Sequence, residues 1–478
     1  MPYSKKTRLS DIKIQKFSRR GNGVGHYIGA DGSFSDAEIS YGIPGELIRS
    51  SLEKKRGKWT GHIEEIIEAS PHRISPKCIH FGSCGGCRWQ QISYEAQLKF
   101  KESIVKELFE PLLPPGIQMR PIIGDITAWN YRNKMEFTFS SDLNRQKYLG
   151  LIMDSSKGKV LNLSECHLVN SWFVEGVKAV KQWWDQSPLD AFNMRRNTGF
   201  LRTLTLREGM KSGDRMVILM VSRASYLQED LNDFVMAVRN AIEPVSSDSK
   251  LSIFLRIQQS AKGETTTMYD MLLYGTSHIR EELDIQAVPN KETTTFKFVV
   301  SPSSFFQPNI RQAEKFFSLA LQLAEINENS IIYDLFCGTG TLGICASRTA
   351  KKVIGIEISS EATSDAIKNV ELNNCQNVMI FSGAVRHVLK KIMLENEIPP
   401  PDILFIDPPR PGLDPEALQQ VIQLNAHTIL FISCNPETQA SNIAELMKHG
   451  YAIKVIQPFD QFPQTMHIEN LIILIKTQ

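Results

Sequence analysis

The chain has 478 residues, 42% hydrophobic and 22% charged, with a formal net charge of +2. That length exceeds one ordinary core, so two or three domains are expected, and the composition is that of a soluble globular protein. MPYSKKTRLSD carries no secretory signal, and no run approaches the roughly 18 apolar residues that span a bilayer; a cytoplasmic protein without a membrane partner is expected.

The eight cysteines, at 78, 84, 87, 166, 337, 345, 375 and 434, are too few for a disulfide scaffold in a chain this long. Clustering among them therefore points to metal binding or catalysis. Residues 1–73 hold 13 Lys and Arg against 9 Asp and Glu, so the basic excess lies at one end. A basic module there suits a nucleic-acid partner, although a plain solubilising surface gives the same count.

Residues 8–70 show short strand patterns: DIKIQKF, the glycine-bearing RRGNGVGHY, the alternating DAEISY, and a hairpin from LIRSSLE through KKRGK to WTGHIEEI. They predict a small OB-like β-barrel over 1–70, a fold that binds nucleic acid on one face and can equally bind protein. Pro71 to Gln91 is irregular and cysteine-rich. The spacing then predicts a helix over about 93–110, with Ser93 as N-cap, Ile104, Val105, Leu108 and Phe109 on one face, and Pro111 as its stop. A mixed α+β region over 71–300 contains that helix and the strands KMEFTFS, RTLTLRE and MVILMVS. Residues 310–325 form an amphipathic helix. Beyond it IIYDLF, KVIGIEI, VMIF, DILFID, TILFIS and NLIILI alternate with helical stretches, which predicts an open, largely parallel α/β sheet over 301–478 with helices on both faces.

Asp334-Leu-Phe-Cys-Gly-Thr-Gly-Thr341 leaves a strand and enters a helix. Gly338 and Gly340 let the backbone pass close to a ligand at a helix N-terminus. Glu357, 19 residues past Gly338 at the end of the next strand, can accept hydrogen bonds from ribose hydroxyls. With Gly343 the loop also fits the GxGxxG register, so the glycines alone do not exclude NAD. Asp334, four residues ahead of the first glycine, suits a cationic ligand such as S-adenosylmethionine better than a pyrophosphate. Asp407-Pro-Pro-Arg410 follows DILFI, and its prolines hold Asp407 toward the crevice where such sheets bind ligands. Cys434, in Phe-Ile-Ser-Cys-Asn-Pro436, ends the strand TILFIS on that side, and Glu469 opens the final strand. Singly they read as an inert thiol and a surface carboxylate; at one crevice they offer a nucleophile and a general base.

FFQPN at 305–309, DLFCGTGT, GIE, DPPR, SCNP and FPQTMHIE follow one another in order. With these motifs nearly the whole chain resembles the RNA 5-methyluridine (uracil-C5) methyltransferase family, whose members act on transfer RNA or large-subunit ribosomal RNA. The resemblance implies a Rossmann-like methyltransferase domain using S-adenosylmethionine, with contacts from Gln307, Phe336, Glu357 and Asp407 beside Gly338 and Gly340. It implies Cys434 as the nucleophile that adds to uracil C6 and Glu469 as the base that removes the C5 proton. The N-terminal barrel is similar to the TRAM domain of many members.

Cys78-x5-Cys84-x2-Cys87 can converge three thiols on one centre, and spacing alone leaves zinc and iron–sulfur even. Resemblance to the ribosomal-RNA branch implies a 4Fe-4S cluster with Cys166 as its fourth ligand, zinc being the alternative, in a structural or RNA-positioning role. It also favours 23S ribosomal RNA over transfer RNA as partner, and no obligate protein partner is evident. Cys337, Cys345 and Cys375 match no ligand or nucleophile position and read as core. Lys54-Lys55-Arg56-Gly57-Lys58 and Arg19-Arg20 are the candidate phosphate contacts. Two rivals stand beside this: an amino methyltransferase, which needs no nucleophilic cysteine, and a non-catalytic RNA-binding or ribosome-assembly factor.

Overall fold

The structure is a computed structural model and describes residues 8–477 apart from 29–33, 56, 155, 157, 223–227, 260–265 and 396–397. The chain forms two compact units. The first comprises Met1–Lys101, Ile152–Leu161 and Phe462–Met466, and the second comprises the remainder.

In the first unit β1 (Arg8–Phe17), β2 (Gly23–Ile28), β3 (Phe34–Ile39), β4 (Leu47–Lys55) and β5 (Lys58–Glu68) close into a barrel in the order β1-β2-β3-β5-β4. Alternation of period two builds its core, with Ile12 and Ile14 of β1, Ala37 and Ile39 of β3, and Ile48 and Leu52 of β4 all buried. The hairpin turn of KKRGK joins β4 to β5, and its Arg56 lies outside the described residues.

Residues 71–101, grouped with the central domain on sequence, belong to the barrel's unit, and specific contacts explain why. The Arg73 guanidinium forks onto the fully buried Glu46 carboxylate at 2.5 and 2.8 Å. Trp89 Nε1 donates to the Gly21 carbonyl at 2.9 Å, and Phe17 packs against Trp89 and Phe100 with ring centroids 4.8 and 5.0 Å apart. Removing one partner of such a buried ion pair strands the other charge, at about 3–5 kcal/mol.

Helix α1 (Tyr94–Phe109) begins in the first unit and ends in the second, where Val105 and Phe109 enter the apolar layer of the C-terminal sheet. It stops before Pro111, which sits in a 3₁₀ turn, Glu110–Leu112. There follow β6 (Lys134–Ser141), β7 (Lys147–Ile152), β8 (Val160–Asn162), α2 (Ser171–Gln186), β9 (Leu201–Glu208), β10 (Arg215–Ser222), α3 (Gln228–Ile242), β11 (Leu251–Gln259) and β12 (Thr267–Tyr274). Their sheet runs β12-β11-β10-β9-β6-β7-β8, and α2 and α3 cover one face. A hairpin of β13 (Ile279–Ile285) and β14 (Thr294–Val300) leads to α4 (Ile310–Leu323).

The C-terminal part alternates regularly: β15 (Ile331–Leu335), α5 (Thr341–Ala346), β16 (Lys352–Glu357), α6 (Ser360–Leu372), β17 (Val378–Ser382), α7 (Val385–Glu395), β18 (Ile403–Ile406), α8 (Pro415–Leu424), β19 (Thr428–Ser433), α9 (Pro436–Lys448), β20 (Tyr451–Phe459) and β21 (Glu469–Lys476). The sheet runs β17-β16-β15-β18-β19-β21-β20; the first five strands are parallel, and β21 runs antiparallel to both neighbours. Alternate residues feed two apolar layers. Ile332, Val353, Phe405 and Leu430 pack with α4 and α5, while Tyr333, Ile354, Leu404 and Phe431 pack with α7, α8 and α9. Strand β20 was not legible as an apolar run, because Lys454 and Pro458 interrupt it. Winding reverses between β15 and β18, and a crevice at such a switch point, outside the carboxyl ends of the strands, is where open α/β sheets bind ligands. No described helix is long and apolar enough to cross a membrane.

Candidate active site

The loop leaving β15 turns tightly. Phe336, Gly338 and Gly340 have φ of 65°, 57° and 77°, so left-handed backbone recurs three times in five residues. Glycine adopts it without steric cost, whereas Phe336 is a non-glycine residue held there. Nothing stands within 4 Å of where a Cβ on Gly338 would be, so the backbone there borders open space. The Gly338 N–H donates to Glu357 Oε2 at 3.0 Å, and the other oxygen of Glu357 accepts from the Ser359 N–H at 2.8 Å. Each carboxylate oxygen has a second lone pair for a ligand hydroxyl. A loop of open backbone rimmed by this carboxylate fits a nucleoside.

Asp334 has a different place from the one its position suggested. It is 3% exposed, and its Oδ2 accepts from the Gly343 N–H at 2.9 Å, so its carboxyl is used inside the fold to fasten the loop to α5. Burial pushes its pKa up to about 7, with Asp407 and Glu357 adding to the rise.

Parallel β15, β18 and β19 end at the same sheet edge, and antiparallel β21 starts there. Ser433 pairs with Asn470, so Cys434 and Glu469 are the next positions outward on neighbouring strands. Asp407 follows Ile406, the last residue of β18, whose partner in register is Phe431 of β19. The sheet thus brings Phe336, Asp407, Cys434 and Glu469 to one edge from positions far apart in sequence. Burial, with the charges of Glu469 and Asp407 adding to it, pushes the Cys434 thiol up to about 11. The positive charge of the Arg410 guanidinium pulls the other way. Burial also lifts Asp407 to about 7 and holds Glu469 well above the usual carboxylate range, with the Asp407 charge adding to the rise at Glu469 and Arg410 opposing it. A thiol, buried carboxylates and a guanidinium gathered at one end of a sheet have the chemistry for nucleophilic addition and proton transfer.

Arg410 received no role on sequence, although it stands in DPPR. Its carbonyl accepts from Asn435 Nδ2 at 3.0 Å and Thr438 Oγ1 at 3.2 Å, which ties the proline loop to the turn after Cys434. Gln307 is half-buried, and its carbonyl accepts from Asn133 Nδ2 at 2.9 Å, so the central region helps to set the FFQPN loop.

The cysteines behave differently. Cys84 and Cys87 flank a turn in which the Gly86 N–H donates to Cys84 Sγ at 3.4 Å. Cys78 lies in the same unit, whereas Cys166 belongs to the other, its Sγ 3.9 Å from Met135 Sδ. Among the described residues no group of three or more His, Cys, Asp and Glu side chains is placed to hold a metal ion. The expected 4Fe-4S ligand set of Cys78, Cys84, Cys87 and Cys166 is therefore not shown. Thiols have no mutual attraction that would gather them, and spacing along a loop does not fix the directions of side chains.

A profile of the tRNA (uracil-5-)-methyltransferase family matches residues 93–477. The chain is 47% identical over 441 residues to an uncharacterised RNA methyltransferase of Protochlamydia amoebophila, covering 91% of this chain and 99% of that one. It is 32% identical to another from Caldanaerobacter subterraneus, covering 99% and 100%. Its fold matches the Pyrococcus abyssi tRNA (uracil-54, C5)-methyltransferase in complex with S-adenosyl-L-homocysteine, with a TM-score of 0.72, 23% identity, and coverage of 98% and 100%. These relatives are RNA methyltransferases, enzymes of the group-transfer class. The chain belongs to the tRNA (uracil-5-)-methyltransferase family of RNA methyltransferases.

Proposed function

We propose that this protein methylates carbon 5 of a uridine in structured RNA, 23S ribosomal RNA in preference to transfer RNA, with S-adenosylmethionine as donor, in the cytoplasm. The observation that carries the reading is the meeting of Cys434, Glu469, Asp407 and Arg410 at one sheet edge beside the Gly338–Gly340 loop. Uracil C5 is a weak nucleophile. Cys434 first gives its thiol proton to solvent, the thiolate Sγ adds to C6, and the resulting enolate carries carbanion character at C5. The bound donor supplies an electrophilic methyl group. Glu469 takes the C5 proton, and its raised pKa makes it a stronger base once ionised. Elimination of Cys434 Sγ then restores the aromatic base, and Arg410 stabilises the departing thiolate. Gln307, Phe336, Gly338, Gly340, Glu357 and Asp407 hold the donor.

Ribosomal RNA is favoured by the thiol motif and by the N-terminal barrel. Transfer RNA is the second reading, since it stands in the family's description and in that of the Pyrococcus abyssi enzyme. The test is a covalent trap. RNA carrying 5-fluorouridine should stay attached to Cys434, because fluorine cannot leave as a proton would. We expect an adduct with 23S transcripts, a weaker one or none with transfer RNA, and none from Cys434→Ala. No adduct with either RNA would defeat the uridine-C5 reading.

The finer reading of the thiols belongs to the same proposal. Cys78, Cys84, Cys87 and Cys166 would hold iron–sulfur in preference to zinc, a choice that rests on the resemblance to the ribosomal-RNA branch; their spacing and the N–H donor on Cys84 Sγ suit either thiolate centre. No step of methyl transfer passes through it.

A further inference from the structure

We infer that Gln461 is a positioning residue that fixes which end of the Gln307 amide faces the bound donor. The inference rests on reading Gln307 as a donor contact. Gln461 is 2% exposed, and its Nε2 donates to the Asn309 main-chain carbonyl at 3.3 Å and to Gln307 Oε1 at 3.2 Å. A main-chain carbonyl can only accept, so it determines which end of the Gln461 amide lies there. The Gln307 atom beside that N–H must then be the acceptor, Oε1, and Gln307 Nε2 is turned the other way.

The Gln307 backbone is held by other groups. Its carbonyl accepts from Asn133 Nδ2, and the Asn133 N–H donates to Pro308 O at 3.0 Å. Asn309 is fully buried, caps α4 through Gln312 N at 3.2 Å, and donates to Asp125 Oδ2 at 2.9 Å. Gln461 shares in holding the loop at Asn309, and at Gln307 itself it sets the orientation of the amide. An unheld amide turns over freely and presents its carbonyl half the time. Glu357 and Asp407, the other polar side chains assigned to the donor, are carboxylates that accept when ionised. The NH2 group of Gln307 therefore meets a ligand acceptor, and the amino-acid carboxylate is the charged acceptor on S-adenosylmethionine.

The test is binding of S-adenosylhomocysteine without RNA, by titration calorimetry, to the full chain. Wild type is compared with Gln307→Ala, Gln461→Met, Gln461→Glu and the double variant Gln307→Ala/Gln461→Met. Methionine keeps the length and removes the donor; glutamate keeps the shape and can only accept once ionised. Gln307→Ala should bind about tenfold more weakly, the worth of one oriented hydrogen bond, and Gln461→Glu, which holds the amide reversed, by a similar factor. Gln461→Met should bind about twofold more weakly, since its Gln307 amide is correctly turned half the time. The double variant should bind no worse than Gln307→Ala alone. Gln461→Met loses two buried hydrogen bonds and should unfold at a lower temperature, so affinities are compared where every variant is fully folded. Additive losses, or wild-type binding by both Gln461→Met and Gln461→Glu, would overturn the inference while leaving Gln307 as a contact. Wild-type binding by Gln307→Ala would remove the contact itself.

Discussion

The Gly343 N–H donates to Asp334 Oδ2 at 2.9 Å, and a methyl group on Gly343 would stand 2.8 Å from that same oxygen. It would also stand 3.0 Å from Val353 Cγ1, so both buried neighbours would have to shift. Gly343→Ala should cost about 1–3 kcal/mol of stability through overpacking and should weaken S-adenosylhomocysteine binding, because α5 carries the glycine loop. Denaturant unfolding and calorimetry check both; unchanged values in both would show that α5 shifts without penalty.

Glu469→Gln should add Cys434 to uridine and transfer the methyl group, yet release product slowly, since the C5 proton has no acceptor. Covalent enzyme–RNA should then accumulate on ordinary uridine RNA, visible as a shifted band on denaturing gels. Turnover at the wild-type rate would mean that another group is the base.

Because the Cys434 thiol is pushed up to about 11, it is neutral in the resting enzyme at pH 7. Below that value the thiolate fraction rises tenfold per pH unit, so alkylation of Cys434 by iodoacetamide should rise with a slope of about one from pH 7 to 9. Arg410→Gln removes the cation that lowers the thiol, so alkylation should be slower at every pH with the same slope. A plateau near pH 8 would contradict the assigned environment, and faster alkylation in Arg410→Gln would contradict the sign.

Deleting residues 1–70 would strand Arg73 without Glu46, so charge substitution on the barrel is the cleaner test of RNA binding. Replacing Lys54, Lys55 and Lys58 by Gln should weaken RNA binding and flatten its salt dependence by roughly 0.9 in slope per lost phosphate contact with a duplex and about 0.7 with a single strand. S-adenosylhomocysteine binding should not change. An unaltered salt slope would exclude this hairpin as an RNA contact.

Protein purified anaerobically should be brown with about four irons per chain, as a four-thiolate cluster requires. Changing Cys78, Cys84, Cys87 or Cys166 to Ser should each reduce that content. Colourless protein with one zinc, or with no metal, would refute the cluster.

Local chemistry carried much of this in the sequence itself. Apolar runs such as TILFIS and DILFI specify buried parallel strands, because both faces of the sheet are covered by helices. Gly338 and Gly340 announce the loop through the backbone that only glycine adopts cheaply, and Pro111 announces the end of α1 through its missing N–H. What depends on contacts distant in sequence had no such signal. Asp334 reads as a ligand-facing carboxylate until the fold places Gly343 against it. Arg410 and Cys434 stand 24 positions apart, and Gln307 and Gln461 meet across 154. Only packing brings them together, since hydrogen bonds and charge coupling act over a few ångströms of space whatever the separation along the chain.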